Sequence, residues 1–175
     1  MDQTTAEKVD YNKHVTALSS RSWEEREAQW KILREGGRAT LNAMKQAFNH
    51  GDWRVRRECV AYMDHHADET CVRGLIKALQ DPSQTVRRLA IHSLSCDRCK
   101  PSPIASDVIP FIIGVIENDR SLRVRRSALS LLSGRKHDPR ITALLKKILA
   151  TESDQKMRKL AAWTLKAHTG DTVES

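Results

Sequence analysis

Residues 81–90 read D-P-S-Q-T-V-R-R-L-A, and residues 119–128 read D-R-S-L-R-V-R-R-S-A. Weaker copies lie at residues 52–60 and 154–162. Aligned on their first apolar residue, the four copies are anchored at Val55, Val86, Val124 and Met157, at intervals of 31, 38 and 33 residues. A period of this size marks a helical repeat array, in which a unit buries its apolar face only by stacking on its neighbours. It argues against an enzyme domain with one central site and for a molecule that works by offering a surface.

Working outward from the anchors, each unit reads as two helices, A then B. On helix A the apolar or small residues fall three and four apart: Val55, Cys59, Tyr62 and Met63; Val86, Leu89, Ala90, Ser93 and Leu94; Val124, Ala128, Leu131 and Leu132; Met157, Leu160, Ala161, Thr164 and Leu165. This is the stripe of a one-sided helix. The position four after the anchor is small in every copy (Cys59, Ala90, Ala128, Ala161), which lets neighbouring helices approach closely. Helix B repeats the pattern at Val72, Leu75, Ile76 and Leu79; at Ile109, Ile112, Ile113 and Ile116; and at Ile141, Leu144, Leu145 and Ile148. A degenerate first unit places helix A at 23–34, a break at Gly36 and Gly37, and helix B around Leu41, Met44 and Phe48. Ser83 and Ser121 stand where they cap helix A, Asp107 stands before a helix B, and Pro139 suits a first helical turn after Asp138. The link 96–106, with Pro101 and Pro103, accounts for the long interval.

The ends follow from the same logic, because a terminal repeat exposes apolar surface on one side. Residues 1–20 are expected to hold a capping helix over 4–18, residues 21–168 the repeat domain, and residues 169–175 a flexible tail. The fold class expected is all-α, a right-handed alpha-alpha superhelix of about five helical hairpins.

Bulk properties narrow the function classes. Pro and Gly are sparse, which argues against long disorder, and no apolar run reaches the length of a membrane span. The acidic, polar start is unlike a signal peptide, so a cytoplasmic chain with reduced cysteines is expected. The net charge of +8 is uneven: residues 1–120 carry +1 and residues 121–175 carry +7. A basic end of this kind attracts acidic proteins or nucleic acid, and equally serves solubility.

The two phrases at 81–90 and 119–128 resemble the HEAT family, in particular the short HEAT-like repeats first described in phycobilisome lyases. The resemblance covers roughly residues 21–168. It implies a stack of helical hairpins and, most often, macromolecular binding; the family spans scaffolds, lyase-like proteins, nucleic-acid binders and one class of DNA glycosylase, and the fold alone does not choose among them. It also implies a ladder between repeats, made of an Asp and the Arg six residues later: Asp81 with Arg87 and Asp119 with Arg125. Arg56 and Arg158 hold the same phase in the first and last copies, preceded by His50 and Glu152 instead.

The position after each ladder arginine is also basic: Arg57, Arg88, Arg126 and Lys159. Lying about 100° further round the helix, without an obvious acidic partner, these residues form a candidate stripe for phosphates, joined by Arg54, Arg123 and Lys156. The alternative reading is that they lie over the seams between helices. On the B helices, Arg73, Lys77, Lys146 and Lys147 are the exposed cations that would meet an acidic protein partner. Trp53 and Trp163 read as core or cap, or else as partner anchors.

The strongest candidate for chemistry is His92-x3-Cys96-x2-Cys99. The turn between helices A and B falls on one edge of the array in every unit, which gathers His65 and His66, then Cys96 and Cys99, then His137. Cys-x2-Cys is the spacing of two ligands on tetrahedral zinc, but a second such pair is missing, so the set Cys96, Cys99, His65, His66 and His92 is half a signature. Free thiols in a stiff loop are the plain alternative, and Cys59 and Cys71 read as small core residues. No cofactor is expected, and zinc is the one the sequence admits. No catalytic residues are assigned: the chain has no serine elbow, phosphate-binding glycine loop or convincing carboxylate pair, and the acids Asp64, Asp68 and Glu69 beside His65 and His66 suit a helix start. A base-flipping glycosylase would need an aromatic, basic channel that the tryptophans do not form in sequence.

Overall fold

Acids, not the expected serines, turn the chain into the helices that begin after Ser83 and Ser121. In a computed structural model that describes residues 9–100, 103–135 and 137–169, Ser83 and Ser121 occupy the cap positions but make no side-chain capping bond. Asp81 Oδ1 accepts from the Ser83 N–H at 2.8 Å, and Asp119 Oδ1 from the Ser121 N–H at 2.7 Å. The bend belongs to the Asp two residues upstream. Asp138 caps its helix directly, taking the Arg140 N–H at 2.8 Å with Pro139 in the first turn.

The described residues form ten α-helices: α1 (Tyr11–Ala17), α2 (Trp23–Glu35), α3 (Arg38–Gln46), α4 (Trp53–His66), α5 (Val72–Ala78), α6 (Gln84–Ser95), α7 (Ile109–Asn118), α8 (Leu122–Leu132), α9 (Pro139–Thr151) and α10 (Gln155–Thr169), with short 3-10 turns at Ala47–Asn49, Glu69–Cys71 and Asp97–Cys99. The helices pair as A and B into four hairpins (α2/α3, α4/α5, α6/α7, α8/α9), and α10 supplies the A helix of a fifth. The result is an all-α solenoid without strands among the described residues. Of the capping helix expected over 4–18, α1 is the described part; residues 1–8 and 170–175 lie outside the described residues, and Thr169 still belongs to α10.

The A helices α4, α6, α8 and α10 stack on one another in order, and each B helix packs against the A helix that follows it, α5 on α6, α7 on α8, α9 on α10. All four anchors and all four small residues four positions on are fully buried. An A helix sandwiched in this way needs two apolar faces. Val60, Ile91 and Leu129 are fully buried beside the small positions, a second row that the one-sided stripe did not include. Polar bonds cross the same seams: Ser93 Oγ donates to the Val60 carbonyl at 2.9 Å, and His168 Nε2 meets the Leu132 carbonyl at 2.8 Å.

The long link is pinned at both ends. Lys100 Nζ donates to the Cys96 carbonyl at 2.9 Å. The Ala105 and Ser106 N–H groups donate to the two Glu69 oxygens at 3.0 and 3.1 Å. Glu69 thus serves a loop of the next repeat, a tertiary role rather than a helix-start one.

Candidate functional site

Three arrangements of side chains emerge from this stack: an arginine ladder, two charged faces and a Cys/His cluster.

In the ladder, Arg56, Arg87 and Arg125 reach forward to an acid of the next repeat, and Arg56, Arg87 and Arg158 also reach back to the turn before their own helix. Arg56 Nη1 donates to the His50 carbonyl at 2.7 Å, while its Nε and Nη2 grip Asp81 at 2.6 and 3.0 Å. Arg87 repeats this with the Asp81 carbonyl at 2.8 Å and Asp119 at 2.7 and 2.9 Å. Arg125 bonds the Ile116 carbonyl at 2.7 Å and pairs with Glu152, and Arg158 holds the Glu152 carbonyl at 2.8 Å. The ionic partners are therefore Arg56–Asp81, Arg87–Asp119 and Arg125–Glu152, not the Asp81–Arg87 and Asp119–Arg125 pairs of the sequence reading. Asp81 and Glu152, six residues before Arg87 and Arg158, offer their carbonyls, while Arg125 takes the Ile116 carbonyl and not that of Asp119; the guanidinium groups of Arg56, Arg87 and Arg125 take the carboxylate one unit on. His50 fills the acid's place in the first unit with its carbonyl, which takes Arg56, and with its ring, whose Nδ1 accepts the Asp52 N–H at 3.1 Å. Burial would raise the Asp81 and Asp119 carboxyls, but the arginine fork and the N–H bonds of Ser83 and Ser121 outweigh it and hold both below the usual range.

The stripe of second-position cations is only partly paired. Arg57 bonds Glu58 and lies over Trp53, with its guanidinium carbon 5.7 Å from the ring centre. Arg126 forks onto Asp154 at 3.2 and 2.5 Å. Both have the acidic partner that the sequence did not reveal: Glu58 is the next residue, and Asp154 caps α10 one repeat on. Arg54 pairs with Asp52 at 3.6 Å and also stacks on Trp53. Arg88 has its Nε buried without a partner, and Arg123, Lys156 and Lys159 are exposed. Trp23, Trp53 and Trp163 stand outside at 63, 38 and 59% exposure, so the core reading of Trp53 and Trp163 is corrected; Trp30 is the one packed on the core, stacked on Tyr62.

On the B helices Arg73, Lys77, Lys146 and Lys147 are all exposed. Lys77 donates to Asn49 at 2.6 Å and Lys147 to Glu117 at 2.7 Å. Arg73 and Lys146 make no hydrogen bond or ion pair among the described residues. Between these cationic helices lies α7, which has no basic residue and leaves Phe111 42% exposed. In the repeat frame Lys77, Gly114 and Lys146 are equivalent positions, so a small residue on the middle helix sits between two ammonium groups.

The Cys/His cluster is smaller than the edge drawn from sequence. His92, Cys96 and Cys99 bring one ligand atom each to within 4.8 Å of one another. His65 and His66 do not join them. His66 stacks on Tyr62 with ring centres 4.1 Å apart, and burial together with the neighbouring His65 lowers its pKa. His65 Nδ1 meets the Cys99 carbonyl at 3.1 Å, bracing the loop backbone. His137 turns toward His168, 6.5 Å away. A residue absent from the sequence candidates stands in their place: Asp64, in the last turn of α4, places Oδ2 3.3 Å from His92 Nε2. The Cys99 thiol is pushed up to about 11 by the adjoining Cys96 thiol, then by burial and by the Asp64 charge. Cys59 and Cys71 are buried away from this group, and burial pushes the Cys59 thiol up to about 12.

No helix among the described residues is long and apolar enough to cross a membrane. No curated protein matches the chain. A family profile described as HEAT repeats matches residues 41–106 and, overlapping, 72–166. Together these matches span most of the chain and fall on the stacked helical hairpins described above, and the chain belongs to the HEAT-repeat family.

Proposed function

We propose that the protein is a non-catalytic scaffold that holds an acidic protein partner against its B-helix face. The observation that carries this reading is an exposed aromatic ring set between unpaired cations on the B-helix face. On the A-helix stripe Arg57 and Arg126 are paired with Glu58 and Asp154, while Arg88, Arg123, Lys156 and Lys159 make no ion pair among the described residues. The B-helix face keeps Arg73 and Lys146 unpaired on either side of the exposed Phe111. An acidic segment with one apolar side chain fits that order of groups: carboxylates toward the outer helices, an apolar residue toward α7. HEAT membership supports a binding role in general. The resemblance to the short repeats of phycobilisome lyases bears on the length of the units and not on a reaction.

The test is charge reversal on one face at a time. Intact protein is used to capture partners, which are identified by mass spectrometry and re-tested as purified proteins. Arg73→Glu with Lys146→Glu is expected to abolish binding of the purified acidic partner, while Arg88→Glu with Arg126→Glu leaves it within about twofold, since rim charges far from an interface contribute little. The opposite pattern, with tight binding of mixed DNA or RNA lost in Arg88→Glu with Arg126→Glu, overturns the reading in favour of nucleic acid.

A further inference from the structure

We propose that Asp64, His92, Cys96 and Cys99 bind one zinc ion, which ties the end of α4 to the end of α6 and to the long link that follows. Two thiolates, an imidazole and a carboxylate are a donor set that suits zinc among common metals. Three elements deliver them. Asp64 comes from the last turn of α4, His92 from the last turn of α6, and the two cysteines flank the turn that opens the link.

Two of the distances match the edges of a zinc tetrahedron. With zinc–sulfur bonds near 2.3 Å and bonds to nitrogen and oxygen of about 2.0–2.2 Å, the ligand atoms stand about 3.4 Å apart for nitrogen and oxygen, about 3.6 Å for sulfur and nitrogen, and about 3.8 Å for two sulfurs. His92 Nε2 lies 3.3 Å from Asp64 Oδ2 and 3.6 Å from Cys99 Sγ. The sulfur pair, at 2.9 Å, needs to open by about 0.9 Å on that geometry, and the Asp64 carboxylate, which stands outside the 4.8 Å group formed by His92, Cys96 and Cys99, needs to close on the cysteines.

A second observation points to a cation. Asp64 Oδ1 is buried and has no hydrogen-bond partner. A carboxylate oxygen in that position is costly, and a metal on the same carboxylate offsets the cost. The shell around the four ligands is arranged for the role. His65 steadies the Cys99 carbonyl at 3.1 Å and stands 3.8 Å from Asp64, and the Lys100 ammonium holds the Cys96 carbonyl at 2.9 Å, so the backbone of both cysteines is fixed by side chains outside the ligand set.

The intact chain, expressed with zinc and purified under reducing conditions, is expected to carry about one equivalent of zinc by atomic emission. After chelation and reduction, titration with cobalt alone is expected to give the visible bands of a tetrahedral thiolate site. Cys99→Ser and Asp64→Asn should each weaken cobalt binding at least tenfold, since losing even a ligand's outer partner costs about 10–100-fold. His66→Ala, outside the cluster, should leave binding unchanged, and circular dichroism on every variant separates ligand loss from unfolding. A reduced, helical wild-type protein that takes up neither metal overturns the site. Full affinity and an unchanged cobalt spectrum in Asp64→Asn overturn the assignment of the fourth ligand.

Discussion

At the scale of single residues, Arg87 and Asp119 decide most. Their side chains are each only 4% exposed, so removing one partner strands a charge that water cannot reach. Asp119→Ala is expected to cost about 3–5 kcal/mol in urea unfolding, whereas Arg126→Ala, which breaks a pair open to solvent, should shift the midpoint far less. Acid should act on the same joints. The Asp81 and Asp119 carboxyls are held below their ordinary value of 3.8, so the folded protein binds fewer protons there than the unfolded chain. Their contribution is complete above the ordinary carboxylate range and is lost as the pH falls through the depressed values. Urea midpoints should therefore be level near neutrality and drop below about pH 4, with a shallower drop in Asp119→Asn. The residue types of this ladder were legible in the sequence, but its direction was not. Asp81 lies six residues before Arg87 and binds Arg56 instead, because a helix turns the arginine fork away from its own acid and leaves it only that acid's carbonyl. Asp64 was passed over for a related reason: its place at the end of one A helix gains meaning only once the next A helix lies against it.

At the scale of elements, close approach is the rule that the small residues serve. A Cβ on Gly36 would come within 2.1 Å of the Tyr11 ring and 2.3 Å of Thr40 Oγ1, with an ordinary right-handed backbone at Gly36 itself. Gly36→Ala is thus expected to push α1 off the first hairpin, at about 1–3 kcal/mol for overpacking, and hydrogen exchange should rise in α1 while α6 and α8 keep their protection. The helices themselves were readable from spacing: each anchor and each small position predicted to face inward does so. What spacing understated was the A helix's second apolar row at Val60, Ile91 and Leu129. Those residues follow the small positions directly, and a search for one face assigns them to the boundary of the stripe. Capping was misread because Ser83 and Ser121 hold the usual positions while Asp81 and Asp119, already claimed for the ladder, also turn the chain.

At the scale of the whole molecule, charge separates into bound and unbound cations. Net charge alone, +7 over residues 121–175, does not distinguish a phosphate binder from a protein binder; the salt dependence of binding does. Complexes with the acidic partner are expected to weaken only modestly between low and physiological salt, because an apolar contact at Phe111 is insensitive to screening. A steep linear fall of log affinity with log salt for nucleic acid would be the mark of many phosphate contacts, and a salt titration against both ligands tells these apart. Architecture was legible from the chain because repetition writes the same instruction several times. A binding face is written once, in residues whose neighbours come from other units, and so was legible only as a set of alternatives.

The units that begin at Asp81 and Asp119 each bring the carboxylate that completes the seam before them and the guanidinium that completes the seam after them. Such units are interchangeable at their joints. A tandem duplication of residues 81–118 would place a second Asp81 where Asp119 now receives Arg87, and the second Arg87 would meet the original Asp119. Growth of the array by internal copying is thereby possible without any new charge pair having to arise at the boundary.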